Sequence, residues 1–224
     1  MKNLKKIAII FCLLLGATAC VNNRPKPIQT IKYEDEKFEK IEQKEIKEGI
    51  REVDISKKRL NKNKKAYVAG ETELFTGIFS LRYAGHLLNF EEYKNGVLDG
   101  DKVWFGNDGT VGMREKYVNG KKNGDQITYH LNGNIRSIIP YKNGNINGTI
   151  EWYDPNGLLI DESVITNGTG RFVRYFENGN IEKEGYFKNY RKVGEWKTYN
   201  QNRVLEKIIT YSNNGGVIKT RWYN

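Results

Sequence analysis

Ten Asn-Gly pairs punctuate the chain between residues 95 and 215, and no other feature restricts its folding as strongly. Both residues of the pair accept positive φ, the conformation a two-residue hairpin turn needs. One pair marks one turn, whereas ten at regular intervals describe an architecture. Gly100, Gly124, Gly148, Gly170 and Gly194 lie 24, 24, 22 and 24 residues apart, and Gly77 opens an earlier copy one residue shorter. Five residues after each later Gly stands an aromatic: Phe105, Tyr129, Tyr153, Tyr175, Tyr199. Eleven after stands an aliphatic: Val111, Ile135, Leu159, Ile181, Leu205. Seventeen after stands Tyr117, Tyr141, Ile165, Phe187 or Tyr211.

These offsets predict two short strands per repeat, with an Asn-Gly turn at every reversal. Offsets 5, 11 and 17 are all odd, so they share one face if each turn preserves the parity of the strands. A single hairpin is not stable in water, but stacked neighbours bury a continuous apolar stripe. The fold class expected is all-β: an elongated, single-sheet antiparallel meander of about six repeats, starting near residues 77, 100, 124, 148, 170 and 194.

The stretches "YKNGVLDGD" (93–101), "YVNGKKNGD" (117–125) and "YKNGNINGT" (141–149) resemble the core of MORN repeats. With "YHLNGNI", "WYDPNG" and "RYFENGNI" ahead of such cores, the unit is similar to the MORN variant of YwqK-type bacterial proteins. "AYVAGETELFTGIF" (66–79) resembles the lead-in to that family's first repeat. The standard MORN unit carries a second Gly where this chain has Lys102, Gln126 and Ile150, so the lipid binding attached to that unit is not carried over. The resemblance covers roughly residues 57–224. It implies a MORN-variant repeat domain and, from the family's usual description, an antitoxin-like protein that neutralises a toxin by binding it.

The N-terminus reads as an export signal. Lys2, Lys5 and Lys6 precede the apolar run Ile7–Leu15 and the small residues of "GATAC". Nine apolar residues are too few to cross a bilayer as a helix, which takes about 20. "LGATAC" resembles a bacterial lipobox, with a departure at Ala17, and implies that residues 1–19 are a lipoprotein signal peptide and that Cys20 is acylated. The only other cysteine, Cys12, lies inside the signal, so a mature chain would have no internal disulfide. Residues 20–56 read as a charged tether with room for a short helix. The expected location is the bacterial cell envelope, at the outer membrane in a cell that has one.

Catalytic residues are scarce. His86 and His130 are the only histidines, and His130 beside the Asn132-Gly133 turn reads as exposed. No His or Cys spacing suits zinc, and Asp99, Asp101 and Asp125 fit turn chemistry better than a calcium site. The expectation is therefore a non-enzymatic protein with no cofactor and no metal.

Binding leaves more to weigh. From Arg171 onward there are eleven Lys or Arg and five Glu, interleaved with aromatics. Such a composition could serve nucleic acid, an anionic membrane or an acidic polymer, but a solvated sheet face kept from edge pairing by lysines is the favoured reading. Export makes nucleic acid a poor candidate, and the partner expected is an unknown protein or an anionic surface ligand. Trp104, Trp152, Phe172, Arg174 and Trp196 fall at even offsets, nominally the face opposite the stripe. Two readings stand for them: a partner-binding face, or ordinary packing beneath a cover.

Overall fold

The computed structural model describes residues 49–223. The chain enters through β1 (Glu52–Asp54), a 3-10 turn (Ile55–Lys57), β2 (Lys58–Leu60) and β3 (Ala66–Val68). There follow β4 (Gly77–Tyr83), β5 (His86–Lys94), β6 (Val97–Phe105), β7 (Val111–Val118), β8 (Lys121–Lys122) and β9 (Gly124–Tyr129). Next come β10 (Ile135–Lys142), β11 (Asn145–Ile146), β12 (Gly148–Tyr153) and β13 (Leu159–Thr166). The remaining strands are β14 (Thr169–Tyr175), β15 (Ile181–Lys188), β16 (Arg191–Tyr199), β17 (Leu205–Tyr211) and β18 (Val217–Trp222).

From β4 to β18 the chain is one antiparallel meander, open at its edges, with β8 and β11 as short companions of β7 and β10. The expected all-β repeat architecture is present. Two features lie outside it. β1, from the segment read as tether, pairs parallel with β4, while β2 and β3 form a separate two-stranded sheet. Ala66, Val68, Phe75 and Phe79 make a small core where that lead-in meets the meander.

The reversals use two turn chemistries. The turn between repeats is a tight two-residue one in which both residues take positive φ, as at Asn119-Gly120 and Asn143-Gly144. The turn within a repeat is wider. At Asn132-Gly133 only the Gly has positive φ, and His130 N–H donates to the Asn134 carbonyl while Gly133 N–H donates to the His130 carbonyl. Asn123-Gly124 and Asn147-Gly148 reverse nothing, contrary to the expectation of one Asn-Gly per turn. They interrupt the strand between β8 and β9 and between β11 and β12.

What those asparagines do is hold the next turn. Asn143 N–H donates to Asn123 Oδ1 at 3.2 Å, and Asn167 N–H to Asn147 Oδ1 at 2.8 Å. Other oxygen-bearing side chains fill the same column. Thr76 accepts from Asn95 N–H, Asp99 from Asn119 and Thr169 from Asn189, always about one repeat further along the chain. The following turn residue adds a backbone bond to the preceding repeat, as in Gly120 N–H to Leu98 O at 2.8 Å.

Register overturns the expected stripe. Gly148 pairs with Ile165, Ile150 with Ser163 and Trp152 with Asp161, so offsets 0, 2 and 4 face 17, 15 and 13. Directly opposed residues share a face. Even offsets of a repeat's first strand therefore lie with odd offsets of its second. Between offsets 4 and 5 a bulge recurs, at Trp104/Phe105, Trp152/Tyr153, Arg174/Tyr175 and Thr198/Tyr199, and it takes offsets 5 and 11 out of the alternation.

A candidate binding face

The face carrying offsets 0, 2, 4, 13, 15 and 17 changes character along the meander. In the first repeats it is polar. Glu91, nearly buried, meets Lys58 Nζ at 2.5 Å and Lys102 Nζ at 2.7 Å and accepts from the Tyr93 hydroxyl at 3.1 Å. One repeat on, Glu115 pairs with Lys122 and accepts from the Tyr117 hydroxyl at 2.8 Å. Burial favours the neutral acid at Glu91, yet hydrogen bonds from Lys102 and Lys58 outweigh it and hold the carboxyl below its ordinary value. Tyr93 is pushed up by burial and by Glu91 beside it.

Further along, the same face is apolar and aromatic. Ile139, Ile150, Trp152 and Ile165 stand at these offsets, and Val173 and Tyr175, at offsets 3 and 5, join them in one core cluster. Phe172 stacks on Trp196 with ring centres 5.6 Å apart, Phe187 meets Trp196 edge-on at 4.9 Å, and Lys192 Nζ lies 4.5 Å above the Trp196 ring.

Of the two readings of the even-offset aromatics, a partner-binding face opposite the stripe or ordinary packing, burial of the tryptophans favours packing. Trp152 and Trp196 are 4% and 3% exposed, and their indole N–H groups donate to the carbonyls of Val173 and Tyr186. Trp104 is half-buried beneath Lys102, whose Nζ lies 4.7 Å from its ring centre. Phe172 is likewise half-buried in the Trp196 stack. Only Arg174 is exposed, paired with Glu182. These five residues do not form one exposed patch, because the expectation ignored the change of parity across each hairpin. Cys20 lies outside the described residues.

His130 is also not where the sequence suggested. It is 5% exposed, with Nε2 2.9 Å from the Tyr153 carbonyl and Nδ1 2.6 Å from Glu177 Oε1. A carbonyl can only accept, so Nε2 donates to Tyr153, while Nδ1 faces the Glu177 carboxyl. The joined residues come from three successive repeats, a relationship that nothing in the local sequence signals.

At this end of the strands grooves open between successive offset-5 tyrosines. One of about 240 Å³ is lined by Arg136, Trp152, Tyr153, Tyr175 and Glu177. The next, of about 430 Å³, lies between Tyr175 and Tyr199 beside Ile181 and Arg203. Burial, with acceptance of the hydroxyl by Asp161, lifts Tyr175 to about 12; burial and Glu184 do the same for Tyr199. Among the described residues, no group of three or more His, Cys, Asp or Glu is placed to hold a metal ion, and no helix is long and apolar enough to cross a membrane. The face offers aromatic rings, paired charges and shallow grooves, the chemistry of non-covalent recognition.

Comparison with known families fits this geometry. Residues 122–143 and 169–189 match the MORN repeat variant family. No curated protein matches the chain. The two matched segments cover the strand pair β9–β10 and the strand pair β14–β15. At these positions the meander is similar to repeats of the MORN variant.

Proposed function

We propose that the protein is a non-enzymatic interaction module held at the bacterial cell envelope by lipid on Cys20, binding a protein or an anionic surface ligand through its repeat meander. One observation carries the reading. The face sets paired charges in the first repeats beside aromatic rings in the later ones, with shallow grooves between successive tyrosines, and MORN repeats are generally protein- or ligand-binding modules. The export signal and lipobox resemblance supply the anchor. An antitoxin role is the special case in which the ligand is one toxin protein met outside the cytoplasm.

The test is cross-linked capture from intact cells, comparing full-length protein with a form lacking Gly124–Asn147, one whole period. Recovery of a reproducible partner by the full protein, reduced or lost with the shortened one, supports the reading; equal recovery by both, or none, overturns it. Incorporation of a palmitate analogue that disappears in Cys20→Ala supports the anchor, and an unlabelled, freely released wild-type protein disproves it.

A further inference from the structure

One cross-strand row on the binding face stands apart in the last repeats. Arg174 on β14 lies opposite Lys183 on β15, Lys183 opposite Thr198 on β16, Thr198 opposite Lys207 on β17, and Lys207 opposite Trp222 on β18. The same row in earlier repeats runs Trp104, Met113, Thr128, Ser137, Trp152, Asp161 and contains no cation. Like charges placed directly opposite destabilise a strand pair, so Arg174 beside Lys183 is not there for the sheet.

Neutralisation within the row is incomplete. Arg174 has Glu182, whereas among the described residues neither Lys183 nor Lys207 has an ion-pair partner. Lys207 Nζ rests 4.5 Å from the ring centre of Trp222, and Lys192 stands nearby over Trp196 and Tyr211. Lys183 is held below the ordinary lysine value by burial and then by Arg174, Lys192 and Lys207. Such a cluster has an unmet demand for negative charge. The Trp222 indole, 71% exposed, is a flat apolar platform at the end of the row.

We propose that this row binds an acidic polysaccharide, with sugar carboxylates on Lys183 and Lys207, sugar hydroxyls on Thr198, and the C–H face of a pyranose ring on Trp222. The inference rests on the reading of the protein as a binding module and names its ligand. Three complementary chemistries meet here: cations, a hydroxyl and an exposed ring. Spacing favours a glycan over an acidic peptide. Neighbouring strands lie ~4.8 Å apart, close to the advance of one pyranose unit, whereas an extended peptide presents same-side residues every ~6.7 Å.

The test is calorimetric titration of full-length protein with hexagalacturonate at low salt, with neutral galactan oligomers as a comparison. Wild-type protein should bind only the acidic oligomer. Lys183→Gln, Lys207→Gln and Trp222→Ala should each weaken binding about tenfold. Lys197→Gln, on the opposite face of β16, should not, and thermal midpoints should show that all variants fold. No binding by wild type, or equal loss in Lys197→Gln, overturns the proposal. So does equal or tighter binding of polyglutamate, single-stranded DNA or phosphatidylglycerol vesicles. If the Lys183→Gln, Lys207→Gln double variant still captures its cellular partner in full, the glycan site is wrong and the binding-module reading stands; if wild-type protein captures nothing, the broader reading fails first.

Discussion

Gly185 lies directly beneath the indole of Trp196: a Cβ on Gly185 would come within 2.3 Å of the ring. Backbone freedom is not the reason for this glycine, whose φ is not in the left-handed region. The indole needs the space, flanked by Phe172 and Phe187. Gly185→Ala should destabilise the protein by about 1–3 kcal/mol through overpacking. Denaturant midpoints will measure it, and a wild-type midpoint would mean that Trp196 is free to move aside.

Trp152 should behave as core. Its ring is buried against Tyr175, and its N–H donates to Val173 O at 3.1 Å. Trp152→Ala should cost about 3–5 kcal/mol. A midpoint within experimental error of wild type, accompanied by lost partner capture, would restore the recognition role.

Acid should loosen the first repeats. The Glu91 carboxyl is held below its unfolded value, so its contribution is present above about pH 4.3 and is lost as pH falls through the lower, folded value. Urea midpoints measured between pH 7 and pH 3 should fall more steeply for wild type than for Glu91→Gln. Parallel curves would show that the two lysines do not favour the ionised form.

Alkali should act at the other end. Tyr175 and Tyr199 are lifted to about 12 in the folded protein, against about 10 for a free tyrosine. Their contribution is therefore full below pH 10 and is lost as pH rises through about 12. Tyr175→Phe and Tyr199→Phe together should flatten the alkaline loss of stability and remove two late steps from the absorbance titration of phenolate.

Asn147 should matter as an acceptor rather than as a turn residue. Asn147→Ala removes the oxygen that receives Asn167 N–H, and should cost about 0.5–1.5 kcal/mol. Amide exchange at Asn167 should quicken by more than at Asn143, whose acceptor is Asn123. Equal protection in variant and wild type would remove the clamp.

Much of the architecture could be read from residue order, because hairpin turns and strand alternation are local. Gly77, Gly124 and Gly148 open strands as expected, and positive φ at Asn119, Asn143 and Asn167 follows from turn chemistry. Facing was harder. Which offsets share a side depends on the pairing of Gly148 with Ile165, set jointly by the turn and the bulge rather than by either strand. Burial of His130 depends on Tyr153 and Glu177, residues 23 and 47 positions away. The basic segment was plain in composition, but its alignment into Arg174, Lys183 and Lys207 required the register of four strands.

The column of side chains that holds each inter-repeat turn also gives assembly a direction. Asn123 precedes Asn143, Asn147 precedes Asn167, and Thr169 precedes Asn189, so every acceptor is synthesised before its donor. At these inter-repeat turns a growing chain does not have to wait for downstream residues to supply the acceptor. Each new turn docks on a repeat that has already left the ribosome, and the order of synthesis can serve as the order of folding.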